Sequence, residues 1–304
     1  MKKLLKNISP FNCKTEMQTA LFVVKKLLAF LFCYIVGTLI AEAVVIILHF
    51  AMGYNVLQGE MLDFQTMSLM KYYGYAIFIA VMLGYWKVVE KKPLSMIGLN
   101  KGFGSYFVGV GISVLLLTLS IGGIMLLGKI KYQGIFDNIN VLMLLLFVGG
   151  FVVQGAMEEL LCRGFLLHTL KEKVTLPLAV LISTVVFILP HWSSLFSGEI
   201  IYGVIGIINQ ILISIIFSLL TIKQKSIWAA CGLHSFWNAI LYSVLGLNLS
   251  GNDEVSTAVL DMQSVGENVW NGGIYGIEAS IITTVVLGVF AAILWVCIKK
   301  KVKE

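Results

Sequence analysis

Apolar residues in this chain come in long unbroken runs, not in the alternation of a strand or the one-sided stripe of a surface helix. Runs at roughly 27–52, 72–86, 104–128, 141–170, 176–191, 202–222, 226–245 and 273–298 read as helices with apolar surroundings on every side. Most reach the roughly 20 residues that carry a helix across the hydrocarbon of a bilayer. The pattern therefore predicts an all-α fold: a polytopic transmembrane helical bundle of about eight spans, forming a single integral membrane domain over residues 1–304. The second run is short, so its ends are the least fixed. The first is too long for a signal-peptide core and no small-residue cleavage site follows it, so no removed leader is expected.

Polar residues fall between the runs. The longest polar stretch, 246–272, contains no lysine or arginine and is expected as an outer loop forming a surface helix or a mobile lid. All lysines but Lys71, Lys129 and Lys131 lie in the two terminal segments or in every second connection between the runs, and Arg163 lies toward the same side. By the positive-inside rule this puts both termini inside. Composition agrees with the pattern. The 304 residues are 59% hydrophobic and 12% charged, with a mean hydropathy of +0.93, about half the charge of a soluble domain. The net charge of +6 sits at the ends of spans, not on one soluble face, which argues against nucleic acid as a partner and for the lipid bilayer. Lysine outnumbers arginine to an extent common in low-GC bacteria, so a multi-pass protein of a bacterial cell membrane is expected. Cys13, Cys33, Cys162, Cys231 and Cys297 show no CxxC spacing, so neither a disulfide framework nor a zinc knuckle is expected.

Ionisable groups inside hydrocarbon cost several kcal/mol and need a partner or a function. Within the runs they are Glu42, the group Glu158, Glu159 and Arg163, then His191, His234 and Glu278. Arg163 is the only arginine in the chain. It stands four residues after Glu159, the helical spacing at which a carboxylate meets a guanidinium, and the pair reads as a buried ion pair orienting a helix. Glu158 then points about 100° away, on a stripe with Gln154, Gly155 and Cys162, where it is free to act as general base or acid or to snorkel to the inner interface. His191 closes STVVFILPHW and taken alone reads as an interfacial residue. His234 lies in AACGLHSFWNAIL with Asn238 one turn later on the same face. Such a pair can bond neighbouring helices, and Gly232 and Ser235 would let another helix approach. Taken together, one free glutamate, two histidines and an asparagine suffice for a hydrolytic site. The glutamate activates water with a histidine, and the second histidine and the amide bind an oxyanion or a metal. Spacing does not separate a zinc site on Glu158, His191 and His234 from a metal-free glutamate site.

EELLCRG (158–164) resembles the EExxxRG motif of the CPBP family, the Abi or CAAX-protease-like intramembrane proteases. STVVFILPH is similar to that family's FxxxH motif and GLHSFWN to its HxxxN motif, in the same order. KKPLSMIGLNK (91–101) looks like the lead-in to its core, so the resemblance covers about residues 90–245. It implies an intramembrane endopeptidase acting on a membrane-associated peptide or protein, in a family whose members are in some descriptions called metalloproteases. Glu158 and His191 would activate water, His234 and Asn238 would stabilise the oxyanion, and Glu159 and Arg163 would hold the site together. The cofactor stays open between zinc and none. Pro190 departs from the family pattern and is expected to kink or end its helix.

With the inner membrane edge at Lys171–Lys173, Glu158 lies about 20 Å deep, His191 about 27 Å and His234 about 14 Å beyond Lys225. Helix tilt brings these heights together, predicting an embedded cavity with Arg163 inside the bilayer. Two other classes compete with the protease: a non-proteolytic membrane scaffold or bacteriocin self-immunity protein, and a proton-coupled transporter relaying through Glu42 and Glu158.

Overall fold

The computed structural model describes residues 7–12, 16–100, 102–251, 255 and 257–303. Among them are eight long helices. Helix α1 is Thr19–Ala51, and α2 is Phe64–Tyr85 with a π-helical continuation Trp86–Glu90. Helix α3 is Ser105–Leu126. Helix α4 is Val141–Glu159, prolonged by a π-helical stretch Leu160–Leu167 and a last turn His168–Leu170. Helix α5 is Leu176–Ile188, α6 is Ile200–Gln224, α7 is Trp228–Ala239 with a π-helical tail Ile240–Val244, and α8 is Ile281–Lys303. Seven of these are long and apolar enough to cross a membrane, and the molecule is a multi-pass integral membrane protein.

The exception is α7, only 12 residues before its π-helical tail. Every residue in those 12 except Trp228 and Phe236 is buried, so it is the central rod of the bundle and shows almost nothing to lipid. Glycines set how closely its neighbours approach. The Cα of Gly109 on α3 lies against the Ala229 carbonyl and that of Gly232 against the Tyr106 carbonyl, with no room for a Cβ at either position. Gly155 on α4 sits on Ser235, where a Cβ would come 2.9 Å from the Ser235 amide nitrogen. The approach expected at Gly232 and Ser235 is made, from two different helices.

Several boundaries move. The first span starts at Thr19, before the expected 27. The second starts at Phe64, because Asp63 caps it: its Oδ1 accepts from the Thr66 amide at 3.0 Å. The last span starts at Ile281 instead of 273, residues 273–279 forming two 3-10 turns. The expected surface helix in 246–272 is replaced by a strand. β1 (Ile130–Ile135) pairs antiparallel with β2 (Leu260–Ser264), from Ile130 opposite Ser264 to Ile135 opposite Leu260, with a bulge between Tyr132 and Gly134. Single-residue steps such as Leu260–Asp261–Met262 satisfy this pairing without the long apolar run that marks a span, so hydropathy does not reveal it.

The lysine-bearing segments meet at the end opposite this sheet. Lys26 pairs with Glu90 at 2.6 Å and Lys92 with Glu172 at 2.9 Å. Asn100 Nδ2 donates to the Lys225 carbonyl at 2.6 Å and the Ile227 amide to the Gly98 carbonyl at 3.2 Å. The lead-in at 91–101, of which Lys101 lies outside the described residues, thereby locks the turn between α6 and α7 and sets the height of His234.

Candidate active site

Helix α4 carries the two glutamates at the point where its winding loosens to π-helix, a change that often marks a functional site. Glu159 and Arg163 are fully buried, and Arg163 Nη1 donates to Glu159 Oε1 at 3.0 Å. The other end of the guanidinium donates from Nη2 to Ser214 Oγ at 2.7 Å and to the Ser214 carbonyl at 3.3 Å. Its Cζ lies over two rings that contact each other edge to face, 4.4 Å from Phe187 and 5.0 Å from Phe217. Ser214 Oγ is in turn 2.7 Å from Thr184 Oγ1. One side chain thus ties α4 to α5 and α6. Glu159 Oε2 and Arg163 Nε are buried without partners, so the pair fixes geometry at the expense of some stability.

Glu159 has a second duty. Its Oε1 also accepts from His234 Nδ1 at 3.0 Å. The imidazole is stacked on Phe217, centroids 5.1 Å apart and planes at 13°. With Nδ1–H committed to Glu159, Nε2 is turned toward Glu158, whose Oε2 is 3.9 Å away. Gln154 Nε2 donates to Glu158 Oε1 at 3.1 Å, and Asn238 Nδ2 donates to Gln154 Oε1 at 3.2 Å. Five of the six residues singled out in the sequence therefore sit in one array: Asn238, Gln154 and Glu158 on one side, His234, Glu159 and Arg163 on the other.

His191 shares the cavity without joining that array. Pro190 ends α5 at Ile188 and a 3-10 turn Leu189–His191 follows. His191 Nδ1 lies 3.1 Å from the Phe187 carbonyl, and the Phe187 ring contacts both histidines, 5.5 Å from His191 and 6.0 Å from His234. The other histidines point elsewhere, His49 Nδ1 to the Val45 carbonyl and His168 Nδ1 to the Arg163 carbonyl. Cys162, expected on the Glu158 stripe, is buried in the core and hydrogen-bonded through its carbonyl to Ser183.

The cavity has a volume of about 800 Å³. Glu158, His191, His234 and Asn238 line it, and it reaches toward the sheet-bearing end, where Ser193, Ser194 and Ser250 line it. Glu42 and Lys71 face it from α1 and α2. Sequence reasoning passed over Phe187 and Phe217 as roles, and over Asn209, Gln210 and Ser214. The signal for these last three was present: they are polar side chains inside an apolar span, the criterion that had singled out Glu158.

A protein zinc site needs about three converging ligands. Among the described residues no group of three His, Cys, Asp or Glu side chains is placed to hold a metal ion. Glu158, His191 and His234 are not placed as such a set, and His234 gives its Nδ1 to Glu159. No step is therefore routed through a metal.

Residues 140–240 match the family model described as Type II CAAX prenyl endopeptidase Rce1-like. No curated protein and no solved structure matches the chain.

Proposed function

From a chain whose residues 140–240 carry the core of the CAAX-protease-like (CPBP) family, we propose an intramembrane endopeptidase that hydrolyses a membrane-associated peptide or protein. The observation that carries this reading is Glu158: a carboxylate on an embedded cavity, bonded on one oxygen to Gln154 and facing His234 Nε2 with the other. The 3.9 Å gap between Oε2 and Nε2 is too long for a direct hydrogen bond and short enough for one water to contact both.

Glu158 takes a proton from that water as its oxygen attacks the scissile carbonyl. The carbonyl π electrons move to oxygen, and the oxyanion accepts an Asn238 amide proton and the Nε2–H of His234, which acts here as an imidazolium with its other proton, on Nδ1, held by Glu159. Collapse of the tetrahedral intermediate breaks the C–N bond, and the proton held by Glu158 goes to the leaving amine. Glu159 and Arg163 keep the imidazole aligned throughout. His191 assists from across Phe187 by orienting water or substrate at the mouth of the cavity. The setting is a bacterial cell membrane with both termini inside.

The test is cleavage of a mixture of apolar fluorogenic peptides by purified protein in nanodiscs, with and without chelator. Glu158→Gln is expected to lower turnover by at least about 100-fold, as loss of a general base does, and His234→Ala by a similar factor. If both variants, folded by circular dichroism, cleave like the parent, the protease reading fails and the scaffold or immunity class takes its place.

A further inference from the structure

A second cluster of polar groups lines the same cavity and has no part in the steps above. Asn209 and Gln210 on α6 are 3% and 6% exposed, and both line the cavity. Asn209 Nδ2 donates to the carbonyls of Glu278 and Ser280 at 2.9 and 3.0 Å, which fixes the amide orientation and leaves Oδ1 as the atom turned elsewhere. That Oδ1 has no hydrogen-bond partner, and neither has Gln210 Oε1. Buried acceptors left unpaired destabilise the fold, so two on neighbouring residues need an explanation. Beside them Glu278 lines the cavity too, its carboxylate holding Trp237 Nε1 at 3.1 Å and Ser250 Oγ at 2.6 Å. A carboxylate offers about four lone-pair sites, so acceptor capacity remains.

We propose that Asn209, Gln210 and Glu278 form a subsite for a cationic nitrogen of the substrate, an ammonium or guanidinium group. The chemistry is one-sided. An ammonium brings three donors and no acceptor, which matches two orphaned carbonyl oxygens and a carboxylate. The wider cavity has the same bias: among its described lining residues Glu42, Glu158 and Glu278 carry carboxylates and Lys71 is the single lysine. Position follows from α6. Gln210 is seven residues before Phe217, on which His234 stacks, so the subsite lies about 10 Å from the imidazole along the helix. That is about three residues of extended peptide, and the cation therefore falls within three residues of the bond that is cut. The assignment rests on the endopeptidase reading for its substrate, and its test does not need cleavage.

The experiment measures equilibrium binding of fluorescent apolar octapeptides to full-length Glu158→Gln protein in nanodiscs. Two peptides carry lysine or norleucine at one position, each with a free or an acetylated N-terminus. The fully acetylated norleucine peptide is expected to bind at least about tenfold more weakly than any cationic one, as charge-assisted hydrogen bonds imply. Adding Glu278→Gln should reduce that ratio to near one. Gln210→Met, which keeps volume and removes the acceptor, should lower it as well and covers the case in which Glu278→Gln fails to fold. Preference that follows lysine under acetylation identifies a side chain; preference that follows the free terminus identifies an α-ammonium. Equal binding of all four peptides, or a preference unmoved by both variants, overturns the subsite. Absence of cleavage by the parent protein with the preference intact overturns the protease reading alone.

Discussion

At the residue scale the single arginine is the point on which the array turns. Its guanidinium donates from two nitrogens to Glu159 and Ser214 while it rests against the rings of Phe187 and Phe217. A lysine carries one point of charge and no plane, so it can reach Glu159 or Ser214 but cannot span them. Arg163→Lys is expected to lower kcat by about 10- to 100-fold, the usual effect of losing a group that orients a ligating or reacting side chain, with KM little changed. Arg163→Met leaves Glu159 as a buried charge and should destabilise by about 3–5 kcal/mol, read as a drop in the thermal unfolding midpoint. The pairing of Glu159 with Arg163 was legible from spacing alone, because four residues on a helix bring two side chains together whatever surrounds them. That Glu159 Oε1 also receives His234 Nδ1 was not, because α4 and α7 are 75 residues apart in the chain.

At the element scale the site depends on how closely α4 approaches α7. Gly155 makes that approach: a Cβ there would come 2.6 Å from Ser235 Oγ and 2.9 Å from the backbone nitrogen. Gly155→Ala must therefore separate the helices by a few tenths of an ångström or more, and Glu158, about one turn further along α4, moves away from His234, the neighbour of Ser235 on α7. Kinetics should show kcat reduced by about 10-fold or more, since small misplacements of reacting groups are this costly. Gly122→Ala on α3, with open space around its Cβ and away from the cavity, is the control and should act like the parent. The proline in LPHW had signalled a helix end, and α5 does end there, because Pro190 has no amide hydrogen for the next turn. The 3-10 turn that follows sets His191 on the cavity, a placement the motif implied but hydropathy could not supply. The strand pairing of 130–135 with 260–264 was invisible for a different reason: it joins two short segments lying more than a hundred residues apart.

At the scale of the whole molecule the bundle has two unlike ends. Lys26, Glu90, Lys92, Glu172 and Lys225 gather at one, and the β1–β2 sheet lies at the other. If the lysine-bearing end faces the cytoplasm as the positive-inside rule requires, a membrane-impermeant maleimide added to intact cells should label Gln263→Cys and leave Lys92→Cys unlabelled in a cysteine-free background. The reverse pattern would invert the topology. Because the cavity runs from Glu158 toward the sheet-bearing end, the same experiment assigns the side from which water reaches it.

The sequence by itself determined that the chain crosses a membrane many times, where its basic residues collect, and which few polar side chains need a reason to be there. These follow from transfer free energies summed over local windows, and such sums do not depend on what packs against what. It also carried the three motifs, because their members are spaced by the geometry of single helices. Only the tertiary structure decided that α7 is a central rod and that Glu159 serves Arg163 and His234 at once. It alone decided that Phe187 touches both histidines, and that Asn209, Gln210 and Glu278 share the cavity. Each of these joins residues from different helices, and their distances are set by glycine contacts and crossing helices that no local window contains.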